Sequence, residues 1–395
     1  MSRATFHFTS LHRDLLAFVL ILICSLGAMF NVYKINAPPL WDGVIYHRLV
    51  EDYVRGGLSF SAINGNAAGN TQISISYLHR PLFMAIAGCL HAWSGLPLIE
   101  IYPAMNLLFL TMSAFYLYKI CMEHYGIPVI VSTIAACWLL VSPPVLINHQ
   151  VVASPEPLVL CFTAGSYYYF GLERYGLAYA VLALATLSKP SAVVLAVYFA
   201  VQLLYTLKEN SHARVLSRIA FLAGSSAFAL ALPYVLISHG SAAFSPGLVA
   251  EIVDGNRGHL FMSLLFNFGI LWIPFGASLP FTKSAYRTGL VCLVLASGIL
   301  ATIGATDWFR VWFSILFVFV LPGAANGVKL ISKNEHGIMV VVAVALSIII
   351  LQSKPLLDLN LVYYPDKGLY MWAAVILLLA AIAVNVRQIL KPRVE

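Results

Sequence analysis

The chain has 395 residues, 61% of them hydrophobic and 10% charged, with a mean hydropathy of +0.86. A soluble globular chain carries about 25% charged residues, so too few charges exist here to build a solvated shell around this much apolar surface. A soluble enzyme, a disordered chain, a coiled coil and a disulfide-stapled module are excluded; the composition is that of an all-α polytopic membrane protein.

The formal net charge is +7, from 23 Lys+Arg against 16 Asp+Glu. In a membrane protein a basic balance reflects positive cytoplasmic loops. No basic run interleaved with aromatics occurs, so no nucleic-acid partner is expected. The six cysteines form no CxxC pair and read as small apolar residues. No phosphate-cradling loop or dinucleotide fingerprint occurs either.

Arg3 and Arg13 precede an apolar run at 14–33 that no small-residue cleavage site follows, so a retained first helix is expected rather than a removed signal peptide. Further apolar runs lie at 101–119, 127–147, 157–172, 176–188, 190–207, 218–238, 260–280, 287–305, 308–324, 337–352 and 369–386. Together they predict about 12 transmembrane helices. The run Pro81–Trp93 is too short for a span, and whether it crosses sets the sidedness of all that follows. If it does not cross and the N-terminus is cytoplasmic, 14 of the 23 Lys+Arg face the cytoplasm; if it crosses, only 7 do. The positive-inside tendency selects the first arrangement. Pro81–Trp93 is then a re-entrant or juxtamembrane helix, and both termini are cytoplasmic. The segments 34–100, 148–156, the turn at Lys189, 239–259 and 353–368 lie outside. Residues 1–395 read as one integral-membrane domain with no soluble C-terminal domain.

The outer loop 34–100 is the most informative segment. Pro38-Pro39 stops the preceding structure, and a helix is predicted from Asp42 to about Arg55, ended by Gly56-Gly57. Ile45, Leu49 and Tyr53 or Val54 share one face while His47, Arg48, Glu51, Asp52 and Arg55 lie largely opposite, which predicts an amphipathic helix on the membrane surface. Asp42 reads either as the N-cap of that helix or as a carboxylate able to take a proton from an attacking hydroxyl. Arg80 reads as a headgroup anchor or as a phosphate clamp. Lys189 interrupts an apolar stretch just before Pro190, and an ionisable group near membrane depth is usually functional. Arg257 reads as the partner of Glu251 and Asp254 or as a phosphate contact. His79 and His149 are lone outer histidines. The tyrosines at 167–169 and Tyr363-Tyr364 fit an interfacial aromatic belt.

Several of these features occur together in one family. Trp41-Asp42 just after the first helix, Tyr46 four residues on, a surface helix ending in Gly, and Arg80-Pro81-Leu82 some 40 residues later stand in this order. The order resembles the membrane-embedded GT-C glycosyltransferases, which include aminoarabinose transferase and the protein O-mannosyltransferases. SPPVLINHQVVASPEPLVLCFTAGSYYYF and YGLAYAVLALATLSKPSAVVL are similar to two further segments of that superfamily. The resemblance covers 14–207, with 208–395 as additional transmembrane helices. Two departures stand out: Gly43 replaces the usual acidic partner of the first Asp, and Glu156 replaces the more usual Asp.

The resemblance implies an inverting transfer of a monosaccharide from a polyprenyl-phosphate donor to an acceptor hydroxyl, on the extracytoplasmic face of a bacterial inner membrane. The acceptor would be a glycan, a glycolipid or a protein. Asp42 would be the catalytic base. Arg80, Lys189 and Arg257 would hold the phosphate, with Tyr46 and His79 also at the substrate. Glu156 would orient the site, bind sugar hydroxyls, or hold a divalent cation (Mg or Mn) jointly with Asp42. The alternatives are a transporter or lipid flippase and a non-catalytic assembly partner.

Overall fold

A computed structural model of the chain describes residues 2–32, 42–63, 80–236, 268, 271–304 and 308–331. Among them the secondary structure is helical throughout, with no strand. The expected spans 337–352 and 369–386, His79, Arg257 and Tyr363-Tyr364 lie outside the described residues.

The helices in chain order are α1 (Ser2–Val32), α2 (Asp42–Arg55), α3 (Pro81–Ser94), α4 (Leu98–Lys119, extended by a π turn to His124), α5 (Val129–Val141), α6 (Pro143–Val151) and α7 (Glu156–Gly171). They continue as α8 (Tyr175–Ser188), α9 (Leu195–Tyr205, entered through a 3-10 turn at Pro190–Val194), α10 (His212–Leu236), α11 (Trp272–Ser278), α12 (Ser284–Gly304) and α13 (Trp308–Ile331). Four described segments are long and apolar enough to cross a membrane: Leu11–Phe30, Leu98–His124, His212–Leu236 and Trp312–Leu330. Five shorter apolar helices accompany them, α3 among them. Fourteen residues of α3 rise about 21 Å at 1.5 Å each, short of a hydrocarbon core about 30 Å thick.

Chain direction alternates through the bundle. The Asp14 carboxylate accepts from the Tyr118 hydroxyl at 2.9 Å and from Lys119 Nζ at 3.0 Å, so α1 and α4 are antiparallel. Asn106 lies at the level of Val152 and Tyr116 at that of Tyr169, so α4 and α7 are parallel. Ser166 Oγ donates to the Ala178 carbonyl at 2.8 Å, and α8 returns against α7. Arg218 caps the Tyr175 ring, Gln202 bonds the Ala285 carbonyl and Lys329 bonds the Gly126 carbonyl. Lys119, Arg174, Arg218, Lys283, Arg287 and Lys329 therefore gather at one end. Residues 42–60, 80–106, 143–156 and 188–194 gather at the other.

Helix α7 is the axis, buried from Glu156 to Tyr167 apart from Phe162 and packed on α4, α8 and α13. Small residues permit this: a Cβ at Gly165 would stand 3.2 Å from the Tyr116 ring, and Ala164, Ala178 and Ala185 are fully buried. Close small-residue contacts are the usual way apolar helices associate when lipid removes the hydrophobic drive. The side chains that face outwards on α1, α10 and α12 are large and apolar: Leu15, Ile23, Phe221, Phe228, Val235, Leu295 and Ile299 all lie exposed. In water such a surface would aggregate; it suits hydrocarbon.

The structure departs from the sequence expectations in three places. The run 127–147 is two helices, because Ser142 turns extended (φ −69°, ψ 144°) ahead of Pro143 and α6 starts afresh. The face that α2 buries is Tyr46, Leu49, Val50 and Tyr53, with Ile45 only partly covered. It packs on Phe83, Met84 and Ala87 of α3 and on Tyr102 of α4. The aromatic-belt reading fails at Tyr167, which is buried and shares a hydroxyl contact of 3.3 Å with Tyr125, its ring packed on Phe319.

Candidate functional site

The site is built on the turn between α6 and α7. Helix α6 ends at Val151, and Val152 takes φ +62°, a region that β-branched residues rarely enter. The turn is held there by two hydrogen bonds: Ala153 N donates to the Val151 carbonyl at 2.8 Å, and Asn106 Nδ2 donates to the Val152 carbonyl at 2.9 Å. Backbone kept in such a region by its surroundings is a common mark of functional sites.

Pro155 then leads into α7, whose first residue is Glu156. Its carboxylate is 3% exposed. Lys189 Nζ donates to Oε1 at 3.0 Å, and the Ser154 hydroxyl donates to Oε2. Lys189 itself is 6% exposed and stands on extended backbone (φ −159°, ψ 118°) between α8 and the following 3-10 turn. Its N–H bonds the Ala185 carbonyl at 2.9 Å and its carbonyl accepts from Ala192 at 3.0 Å, which fixes the root of the side chain. Glu156 also stands at the N-terminus of α7, where the positive end of the helix dipole favours its carboxylate.

Helix α2 reaches this turn through Gly43. A Cβ on Gly43 would collide with the Val151 carbonyl oxygen and lie 3.3 Å from that of Ala153. Glycine therefore follows Asp42 for a steric reason, and the backbone of Asp42 begins α2 directly beside the turn that carries Ser154 and Glu156. The Asp42 side chain lies outside the described residues. Gly43→Ala is expected to push the first turn of α2 away and to cost about 1–3 kcal/mol, as for an overpacked core. Thermal unfolding in detergent reads this directly.

One turn further along α2, Tyr46 is fully buried and carries Arg80 over its ring at 5.0 Å. Tyr46 packs edge-on against Phe83, which stacks on Tyr102. Val152, Ala153 and Leu158 belong to the same apolar cluster, so the Arg80–Tyr46 pair and the Glu156–Lys189 pair flank one core.

Ser154, Asn106, His47, Tyr102 and His149 were not singled out as site members from the sequence, save His149 as a lone histidine. Asn106 was legible as an amide inside an apolar helix, and Ser154 as a hydroxyl two residues before the acid. The pairing of His47 Nδ1 with the Tyr102 hydroxyl at 3.1 Å, with Glu51 3.5 Å from the other ring nitrogen, depends on the docking of two helices. Tyr102→Phe removes that link without altering the packing, and unfolding should register a loss of about 1 kcal/mol.

His149 on α6, outside the expected spans, is 2% exposed, and its Nε2 has no hydrogen-bond partner among the described residues. Burial holds its pKa down to about 4, from 6.5. The unfolded chain thus binds the proton first as pH falls. Stability should be intact above pH 6.5 and decline towards pH 4, by a total on the order of 3 kcal/mol. An unfolding series over that range checks this, with His149→Gln expected to flatten the slope.

The described residues contain no group of three His, Cys, Asp or Glu side chains able to hold a metal ion. Both oxygens of Glu156 are engaged, by an ammonium and a hydroxyl. Compared with models of protein families and with curated proteins, the chain matches none.

Proposed function

We propose that the chain is an integral-membrane inverting glycosyltransferase of about 12 transmembrane helices, moving a monosaccharide from a polyprenyl-phosphate donor to an acceptor hydroxyl on the extracytoplasmic face. The observation that carries the reading is the seating of Gly43 on the Val151–Ala153 turn. It brings the start of α2, with Asp42, to the same end of the bundle as the buried Glu156–Lys189 pair and as Arg80. The gathering of six basic residues at the opposite end supports a cytoplasmic assignment for that end.

In this reading the Asp42 carboxylate takes the proton of the acceptor hydroxyl as its oxygen attacks C1. The bond from C1 to the donor phosphate breaks from the far face, and the phosphate leaves with the electron pair, still attached to its lipid. Negative charge grows on that phosphate, so fixed cations at the same end stabilise the transition state more than the ground state. Arg80 is placed by its contact with Tyr46, and Lys189 by its bond to Glu156. The apolar outer surface of the bundle suits the isoprenoid tail and the surrounding bilayer.

The full-length protein in proteoliposomes, supplied with radiolabelled polyprenyl-phosphate sugar and membrane extract as acceptor, is expected to form a labelled glycoside. Movement of the lipid-linked sugar across sealed vesicles with no glycoside formed would replace this reading by transport. Mass spectrometry of envelope glycans from a deletion strain identifies the acceptor.

A further inference from the structure

We infer that the flank where α10 meets the start of α8 binds one anionic phospholipid, its phosphate held by Arg214 and Arg218 and an acyl chain laid along Phe221 and Phe228. The site lies at the basic end of the bundle, away from α2 and Glu156, and stands whether or not the chain transfers sugar.

Four residues of α10 form one stripe. Arg214, Arg218, Phe221 and Phe228 follow at i, i+4, i+7 and i+14, which on an α-helix is a single line along the axis. The arginines stand at the basic end, and the phenylalanines, 59% and 62% exposed, run away from it. Arg218 to Phe228 spans about 15 Å at 1.5 Å per residue, half of a hydrocarbon core about 30 Å thick. A cationic head above one leaflet's depth of apolar side chains matches the outline of a phospholipid.

Helix α8 supplies the adjoining wall. The Arg218 guanidinium lies 4.2 Å from the Tyr175 ring centroid, and the Phe221 ring packs 5.8 Å from that of Tyr179. Neither arginine forms an ion pair among the described residues, and the exposed Glu173 and Glu209 pair with neither. The ring of Tyr175 holds Arg218 in place while its donors stay available to an anion. Tyr179 is 1% exposed, and its hydroxyl has no hydrogen-bond partner among the described residues. The Arg218 charge acts on that hydroxyl. A buried hydroxyl left so is costly, and a phosphate oxygen beside Arg218 is the acceptor it lacks. Two uncompensated cations above an apolar flank therefore suit an anion that carries its own hydrocarbon.

Native mass spectrometry of the purified full-length protein, titrated with phosphatidylglycerol or with phosphatidylcholine of identical chains, tests the inference. One phosphatidylglycerol per chain is expected to bind at least about tenfold more tightly than phosphatidylcholine, from two arginines at a membrane surface. Arg214→Gln/Arg218→Gln should bring phosphatidylglycerol down to the phosphatidylcholine level, with the unfolding temperature in phosphatidylcholine unchanged. Lys283→Gln/Arg287→Gln removes two exposed cations at the same end and should keep the full preference. If loss of Arg218 from the Tyr175 ring lowers the unfolding temperature, Arg214→Gln and Tyr179→Phe decide instead, and each should weaken phosphatidylglycerol several-fold. Equal affinity for the two lipids would overturn the inference. So would a preference lost equally in the Lys283/Arg287 variant, which marks diffuse surface charge. Competition by inorganic phosphate at the lipid's own concentration would make this a free-anion site, and tighter binding of polyprenyl phosphate than of phosphatidylglycerol would make it a site for the sugar carrier; either result refutes the assignment.

Discussion

Asp42→Asn is expected to lower glycoside formation by roughly 10²–10⁴-fold, the usual contribution of a general base, without changing expression, membrane insertion or unfolding temperature. Asparagine caps a helix about as well as aspartate, so α2 should keep its start at position 42 and its seat on the Val151–Ala153 turn. The substitution therefore separates the two readings of this carboxyl group. If it only caps the helix, the variant transfers sugar at close to the wild-type rate, and the assignment of the base is wrong. If it takes the proton, transfer is lost from a protein that is otherwise intact. Transfer of radiolabelled sugar in proteoliposomes and thermal unfolding in detergent, made on the same preparation, give both quantities.

The second large effect concerns stability. Lys189→Met should destabilise the protein by about 3–5 kcal/mol, because it leaves the Glu156 carboxylate buried without its counter-charge. Glu156→Gln should cost a similar amount, because it takes the carboxylate away from the buried ammonium. The double variant Glu156→Gln/Lys189→Met removes both charges and should recover much of the loss, since two neutral side chains of similar volume need no compensation. A double-mutant cycle by thermal unfolding measures the coupling. Losses that simply add would mean that the two side chains do not act as a pair.

The helix carrying Asp42 was legible in the sequence at both limits. Pro38-Pro39 ahead of it and Gly56-Gly57 after it are local signals, and the structure begins α2 at Asp42 and ends it at Arg55. Leu49 and Tyr53 lie on its buried face as their spacing predicts, but Ile45 is only partly covered, and Tyr46 and Val50 complete that face instead. The neighbours of α2 are Phe83 and Tyr102, and Tyr46 packs on one of those rings while offering its own face to Arg80. Likewise, summed hydropathy cannot see the chain turn at Ser142, so α5 and α6 merged into one run. Lys189 was legible as an ionisable residue in an apolar stretch, but its partner was not. Glu156 lies 33 residues away in sequence, and only the antiparallel return of α8 against α7 brings the two together.

By itself the sequence determined that this chain is apolar enough for a bilayer, that its backbone is helical, and which short segments carry charge. These follow from composition and from local signals, since a chain so apolar must satisfy its own peptide groups through helices. The tertiary structure alone decided that Glu156 is held by Lys189 and Ser154, that Arg80 rests on Tyr46, and that position 43 admits no side chain. Each of these depends on how closely two helices or a helix and a turn approach, and that distance is set by packing among residues far apart in the chain.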